Sequence, residues 1–229
     1  MANVKHNVAA RQTCRKLIDA AGQVFSERGL HAATIKQITE RAGVNVAAVN
    51  YHFSDKYELY AAVIRHALTS TRVVPASNEL KGTPKDRLRK VIRDQVMDIF
   101  DRSRPLWRGP LLAREFVQPT AALDAVTEEL LRPRSDLIRS IVRDILGPGV
   151  PEKKILAATF SVAAQAVFYL YHTRLIQRLH PDLAGRDSAQ ELAEHIVEFS
   201  LAGLRAMRAK RRPGRGRKQV RAPATRAAT

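Results

Sequence analysis

Between Thr34 and Lys56 this 229-residue chain carries a dense run of hydrogen-bonding side chains. Residues 43–59 read GVNVAAVNYHFSDKYEL: the small Val46, Ala47, Ala48 and Val49 are followed at once by Asn50, Tyr51, His52, Phe53 and Lys56. A core favours larger aliphatics there, and a solvated face favours Lys and Glu. A surface that approaches DNA accounts for both halves. Small side chains let a helix reach base edges in the major groove, where the methyls of Val46 or Ala47 can meet a thymine methyl. Asn50 can bond base or phosphate. Tyr51, His52 and Lys56 offer donors to phosphate oxygens, which set register rather than sequence. Helix N-termini starting after Thr34 and Asn45 add free backbone N–H groups where phosphates can lie. The plainer reading, a short core helix under a loop, suits Val49 and Phe53 but not their neighbours.

These residues need elements to hold them, and the pattern is helical nearly throughout. Leu17, Ala20, Ala21, Val24 and Phe25 follow an i, i+3, i+4, i+7, i+8 spacing, and Gly29 stops that helix. Thr34 with Gln37 three residues on has capping-box form, so a second helix starts there and runs to about Ala42. Asn45 caps a third helix over Val46–Phe53, and Ser54 or Asp55 caps a fourth. Gly43-Val44-Asn45 between the two short helices gives a helix-turn-helix by spacing. The Pro/Gly/Ser-rich stretch from Val73 to Pro84 is a connection. Further helices are expected from Leu88 to Phe100, Trp107 to Val117, Thr120 to Leu146 with a bend near Pro133, Pro151 to Leu179, and Ser188 to Ala209. No alternating period-2 segment of useful length and no internal repeat is present. The fold class is therefore all-α.

The net charge of +17 is concentrated in one place. From Arg205 onward there are ten Lys or Arg and no Asp or Glu, so the tail is strongly basic and the body mildly so. Such a balance suits a polyanionic partner. The single cysteine, Cys14, excludes a disulfide framework; nearby Arg11, Arg15 and Lys16 would lower its pKa. The seven histidines lack the H-E-x-x-H spacing, and neither G-x-S-x-G nor a phosphate-binding glycine loop occurs. Glu191 and His195, four apart, read as a surface pair. No cofactor, metal or catalysis is expected. The N-terminus has no apolar signal region, and the most apolar stretch, 155–171, is interrupted by Thr159, Ser161 and Gln165, which points to a cytoplasmic protein with no membrane partner.

The run TIKQITERAGVNVAAVNYHFSDKYELY over 34–60 resembles the DNA-binding domain of the TetR family of bacterial repressors. Ile38, Ala42, Gly43, Val44, Tyr51, His52, Phe53, Lys56 and Leu59 match that family's spaced pattern. Asn45 stands where Ser is commoner and keeps the capping role. The strong resemblance covers about residues 10–68. Further on, GPLLAREFVQPTAALDAV at 109–126 is similar to the CecR-like branch, whose members are linked to drug-sensitivity and transporter genes.

The resemblance implies a DNA-binding domain over 1–72, with Thr34, Asn45, Val46, Ala47, Asn50, Tyr51, His52 and Lys56 at the DNA. It implies a helical domain over 73–209 that binds a small-molecule effector and forms a homodimer through its last two long helices. Phe100, Trp107, Arg114, Phe116, Gln165, Phe168, Tyr169 and His172 are the ligand-pocket candidates; Arg114 argues for an anionic or carbonyl-bearing ligand only if buried. The expected activity is a ligand-responsive repressor on a palindromic operator. A charge-driven general DNA binder is the alternative, and an enzyme on a helical scaffold a remoter one. The tail, 210–229, reads as disordered. Its RRPGRGRK at 211–218 resembles the AT-hook, with Lys218 where that motif has Pro.

Overall fold

A computed structural model describes residues 2–69, 80–101, 103–181 and 186–209. The proposed tail and most of the expected connection lie outside them. The described residues are all-α, with no strand among them.

Helix α1 spans Ala2–Ala32 and breaks at Gly29 (φ 79°, ψ 169°), after which one short turn resumes. Helix α2 is Ile35–Ala42, and its start follows from Thr34: the hydroxyl accepts from the Gln37 N–H while the Gln37 side chain accepts from the Thr34 N–H. Gly43 ends it in the left-handed conformation (φ 64°), which a glycine adopts without a Cβ clash. Two residues later the Asn45 side chain accepts from the Ala47 N–H and opens α3, Val46–His52. Asp55 caps α4, Lys56–Leu68, through the Glu58 N–H.

The second half comprises α5 (Pro84–Ile99), α6 (Arg108–Val117), α7 (Ala121–Val126), α8 (Arg132–Leu146), α9 (Glu152–Leu179) and α10 (Arg186–Ala209). The helix expected from Thr120 to Leu146, with its bend near Pro133, is α7 and α8 joined without a break by a π-helical turn at Thr127–Leu131. Pro133 supplies the reason: it has no N–H to donate, and the wider turn just before it shifts the hydrogen-bond register.

Two cores form. One packs α5, α8, α9 and α10 around Leu88, Ile141, Leu146 and Ile196. The other packs α1 to α4 around Leu17, Phe25, Ile38 and Leu59, and it takes in Trp107, Leu111 and Leu112 of α6 with Val126 of α7. The head's core thus extends past the expected division at 72/73. Gly22 of α1 lets this happen, because a Cβ there would collide with the Trp107 indole. The indole N–H donates to Asp19 Oδ1 at 2.8 Å.

Candidate nucleic-acid interface

Helix α3 has two faces. Val49 and Phe53 are buried in the head's core, and Ala48 packs against it. Val46, Ala47, Asn50 and Tyr51 are exposed, Tyr51 by 71%. Burying an isolated aromatic is normally favourable, so a Tyr left this open beside small residues presents a contact surface. His52 is half-buried, and its ring meets Tyr51 edge-on with centroids 4.9 Å apart.

Thr34 is exposed at the start of α2. Its hydroxyl is occupied by the cap, as is the Asn45 side chain at 2.9 Å from the Ala47 nitrogen. Lys56 differs from the simple expectation of a free phosphate donor. Its ammonium donates to the carbonyl oxygens of Ala33 at 3.0 Å and His31 at 3.3 Å. Those are the unsatisfied acceptors at the end of α1, so Lys56 ties α4 to the α1–α2 corner.

The eight ligand candidates do not line one cavity. Phe100 packs against the α5/α8/α9/α10 core, together with Tyr169. Trp107 is buried against α1, away from that core. Arg114 is exposed and lies beside Gly29, so the condition for a ligand-facing Arg114 is not met. Its neighbour Glu115 is the buried one. Phe116 lies 6.0 Å from the Tyr171 ring, centroid to centroid. Gln165 donates to Ser200 Oγ at 3.0 Å, a bond between α9 and α10. Phe168 and His172 stack on each other at 4.4 Å, and Phe168 is half exposed.

The sequence reading missed the polar contacts that join head to body, although Glu115 itself was among the residues considered for the pocket. Tyr60 of α4 donates its O–H to Glu115 Oε2 at 2.6 Å, and Glu115 Oε1 accepts from the N–H and hydroxyl of Thr120 at 2.9 and 2.8 Å. Burial and the adjacent carboxylate push the Tyr60 phenol up from its ordinary value. Farther along, Arg108 Nε donates to the Ala67 carbonyl at 2.5 Å while Nη2 donates to Asp98 Oδ2 at 2.7 Å. Arg104 pairs with the other Asp98 oxygen and donates to the Thr69 carbonyl at 2.8 Å. Burial alone would raise Asp98, but the two guanidiniums hold it below its ordinary value. Nothing in residue type separates Asp98 or Arg108 from surface charges; their only signal is position on otherwise apolar helix faces.

Cys14 also departs from expectation. Burial pushes its thiol up, against the lowering anticipated from neighbouring cations. Among the described residues there is no cluster of His, Cys, Asp and Glu that could hold a metal ion, and no helix long and apolar enough to cross a membrane.

Residues 17–63 match the model of the bacterial regulatory proteins of the tetR family. Residues 84–204, more than half of the chain, match the C-terminal domain of the HTH-type transcriptional dual regulator CecR. The chain belongs to the TetR family. It is a DNA-binding transcriptional regulator with a helix-turn-helix head and a CecR-type helical body. It is similar to the HTH-type transcriptional repressor Rv1474c of Mycobacterium tuberculosis, 29% identical over 139 residues that cover 60% of this chain and 72% of the relative. It is also similar to the dual regulator CecR of Shigella flexneri, 22% identical over 181 residues that cover 74% and 80%. Among solved structures, FadR from Bacillus subtilis in complex with stearoyl-CoA shares the fold with a TM-score of 0.61 at 18% identity, over 82% of this chain and 98% of that one.

Proposed function

We propose that this TetR-family regulator acts in the cytoplasm as a homodimeric repressor of a palindromic operator, released by a small-molecule effector bound in its C-terminal body. The observation that carries the DNA half is the division of α3: Val49 and Phe53 anchor it, while Val46, Ala47, Asn50 and Tyr51 stand free. Inserted in a major groove, that face places Asn50 and Ala47 at base edges and leaves Tyr51, His52 and Thr34 for phosphates. Lys56 then acts mainly as a brace behind the reading helix.

An unpartnered apolar stripe supports the dimer. Phe160, Ala164, Phe168 and Leu175 are exposed on α9, and Phe199, Ala202, Ala206 and Met207 on the adjoining α10. The first three follow an i, i+4, i+8 spacing, one seam of a helix–helix contact. A second copy of the chain buries such a seam against itself about a two-fold axis. Two-fold symmetry in turn requires operator half-sites about one helical turn apart or a multiple of it.

Selection of bound duplexes from a random pool tests this reading. Enrichment of an inverted repeat, with affinity lost in Asn50→Ala at specific base positions, is the expected result. Equal retention of all sequences would favour the charge-driven alternative, and an asymmetric single site would overturn the dimer. The basic tail adds sequence-independent affinity in this scheme. Deleting 210–229 should reduce the dependence of log affinity on log salt by about 0.9 for each phosphate the tail neutralises.

A further inference from the structure

Helices α1 and α9 both pack on α6, and a groove of about 560 Å³ opens where the three come together, at the junction of head and body. Its volume lies within the roughly 300–1,000 Å³ of small-ligand sites. Asp19, Gln23 and Glu27 line it from one face of α1, at an i, i+4, i+8 spacing. The turn leading into α6 adds Arg104, Leu106 and the indole of Trp107, and α9 adds Arg174. Leu106 is 92% exposed, so almost its whole side chain is open to a ligand.

Four ionised groups line the groove, and two of them are compensated. Glu27 is paired with Arg41 at 2.7 Å, and Arg104 with Asp98. Asp19 and Arg174 are not. The Asp19 carboxylate accepts from neutral donors, the Trp107 indole at 2.8 Å and the Gln23 amide at 3.1 Å. Among the described residues Asp19 has no ion pair, and Arg174 has neither an ion pair nor a hydrogen bond. The two do not pair with each other either. The groove therefore carries an unmatched negative charge on the head and an unmatched positive charge on the body, with apolar surface in the same lining. A simple anion entering it gains Arg174 but meets Asp19, and a simple cation meets the reverse. A ligand with both charges satisfies both walls.

We propose that this groove binds a small zwitterion with an apolar middle, the chemistry of a short free peptide. Its ammonium goes to Asp19, its carboxylate to Arg174, and its side chains to Leu106 and the edge of Trp107. Held at one end by the head and at the other by the body, such a ligand braces α1 against α9. The site is separate from an effector pocket among the helices of the body and does not depend on one.

Trp107 is the single tryptophan of the chain, so the groove carries its own fluorescent reporter. Three non-fluorescent probes separate the outcomes: leucyl-leucine, its N-acetyl derivative, which lacks the ammonium, and its C-terminal amide, which lacks the carboxylate. Titrations followed by Trp107 emission and by calorimetry use the whole chain and its Asp19→Asn and Arg174→Met variants, with circular dichroism to check the fold. The free dipeptide should bind wild type most tightly. Asp19→Asn keeps an acceptor for the indole and should weaken the dipeptide about tenfold without weakening the acetylated probe. Arg174 is exposed, so Arg174→Met should weaken the dipeptide only about two- to fivefold, without weakening the amide. Equal binding of all three probes to wild type would overturn the zwitterion assignment. Dipeptide binding that neither substitution weakens, or no heat and no emission change on wild type, would overturn the site itself. Operator selection uses none of these probes and reports separately on the regulator reading.

Discussion

Two polar seams join the head of this regulator to its body, and they are built from opposite chemistry. At the Tyr60 end, one buried carboxylate, Glu115, is satisfied by a phenol, a hydroxyl and a backbone N–H. At the Ala67 end, one buried carboxylate, Asp98, is satisfied by two guanidiniums that also grip the carbonyls closing α4. Both cross the same pair of helices, α4 and α6, yet they fail differently. A seam of neutral donors costs little more than its hydrogen bonds when broken. An ionic seam, once one charge is removed, leaves the other desolvated and unpaired. The first is a hinge pin that tolerates change; the second is a latch that is either closed or expensive.

The largest expected effect follows from that asymmetry. Asp98→Ala strands Arg108, which is 7% exposed, and should destabilise the fold by about 3–5 kcal/mol in urea denaturation. An effect near zero would mean that Arg108 is satisfied by carbonyls alone. Acid sharpens the same contrast. The Asp98 carboxyl is lower in the folded state than in the unfolded one. Its stabilisation is therefore fully present above the unfolded value of about 3.9 and is lost as pH falls through the folded value. Wild type should lose stability on that descent more steeply than Asp98→Asn, and parallel curves would remove Asp98 from the acid response.

Glu115→Ala comes next. It leaves the Tyr60 O–H and the Thr120 donors without an acceptor in the head's core and should cost about 1–3 kcal/mol. A loss as large as that of Asp98→Ala would erase the distinction between the seams.

The two seams also mark how far the sequence could be read. The head was legible because its signals are local: Thr34, Gly43, Asn45 and Asp55 act on backbone within three residues, and each caps or closes a helix. The split of α3 into anchoring and free faces follows from the same short range. The body was legible as helices but not as a site. Trp107, Phe116 and Phe168 are alike as aromatic residues in amphipathic segments, yet they end in three different surroundings. Which neighbour they meet depends on how α6 and α9 pack, a property of distant chain segments. Arg108 and Asp98 show the limit most clearly. They are ten residues apart and look like two surface charges, but α4 brings the Ala67 carbonyl to them from 41 residues away.

Tyr60→Phe is the smallest perturbation, and alkali makes it the most discriminating. It removes one hydroxyl from a fully packed ring and should cost about 1 kcal/mol at neutral pH. The phenol is pushed up in the folded state by burial first and by its bond to Glu115 second. A group raised in this way contributes stability that is fully present below its unfolded value, about 10, and is lost as pH rises toward the folded one. The gap between wild type and Tyr60→Phe should therefore narrow above about pH 10, on the opposite side of neutrality from the Asp98 response. Thermal melts of both proteins across that range measure the gap directly. A constant gap would show that the hydroxyl's contribution is indifferent to its ionisation, and the Tyr60 seam would then owe its strength to packing of the ring against Phe25 rather than to the bond with Glu115.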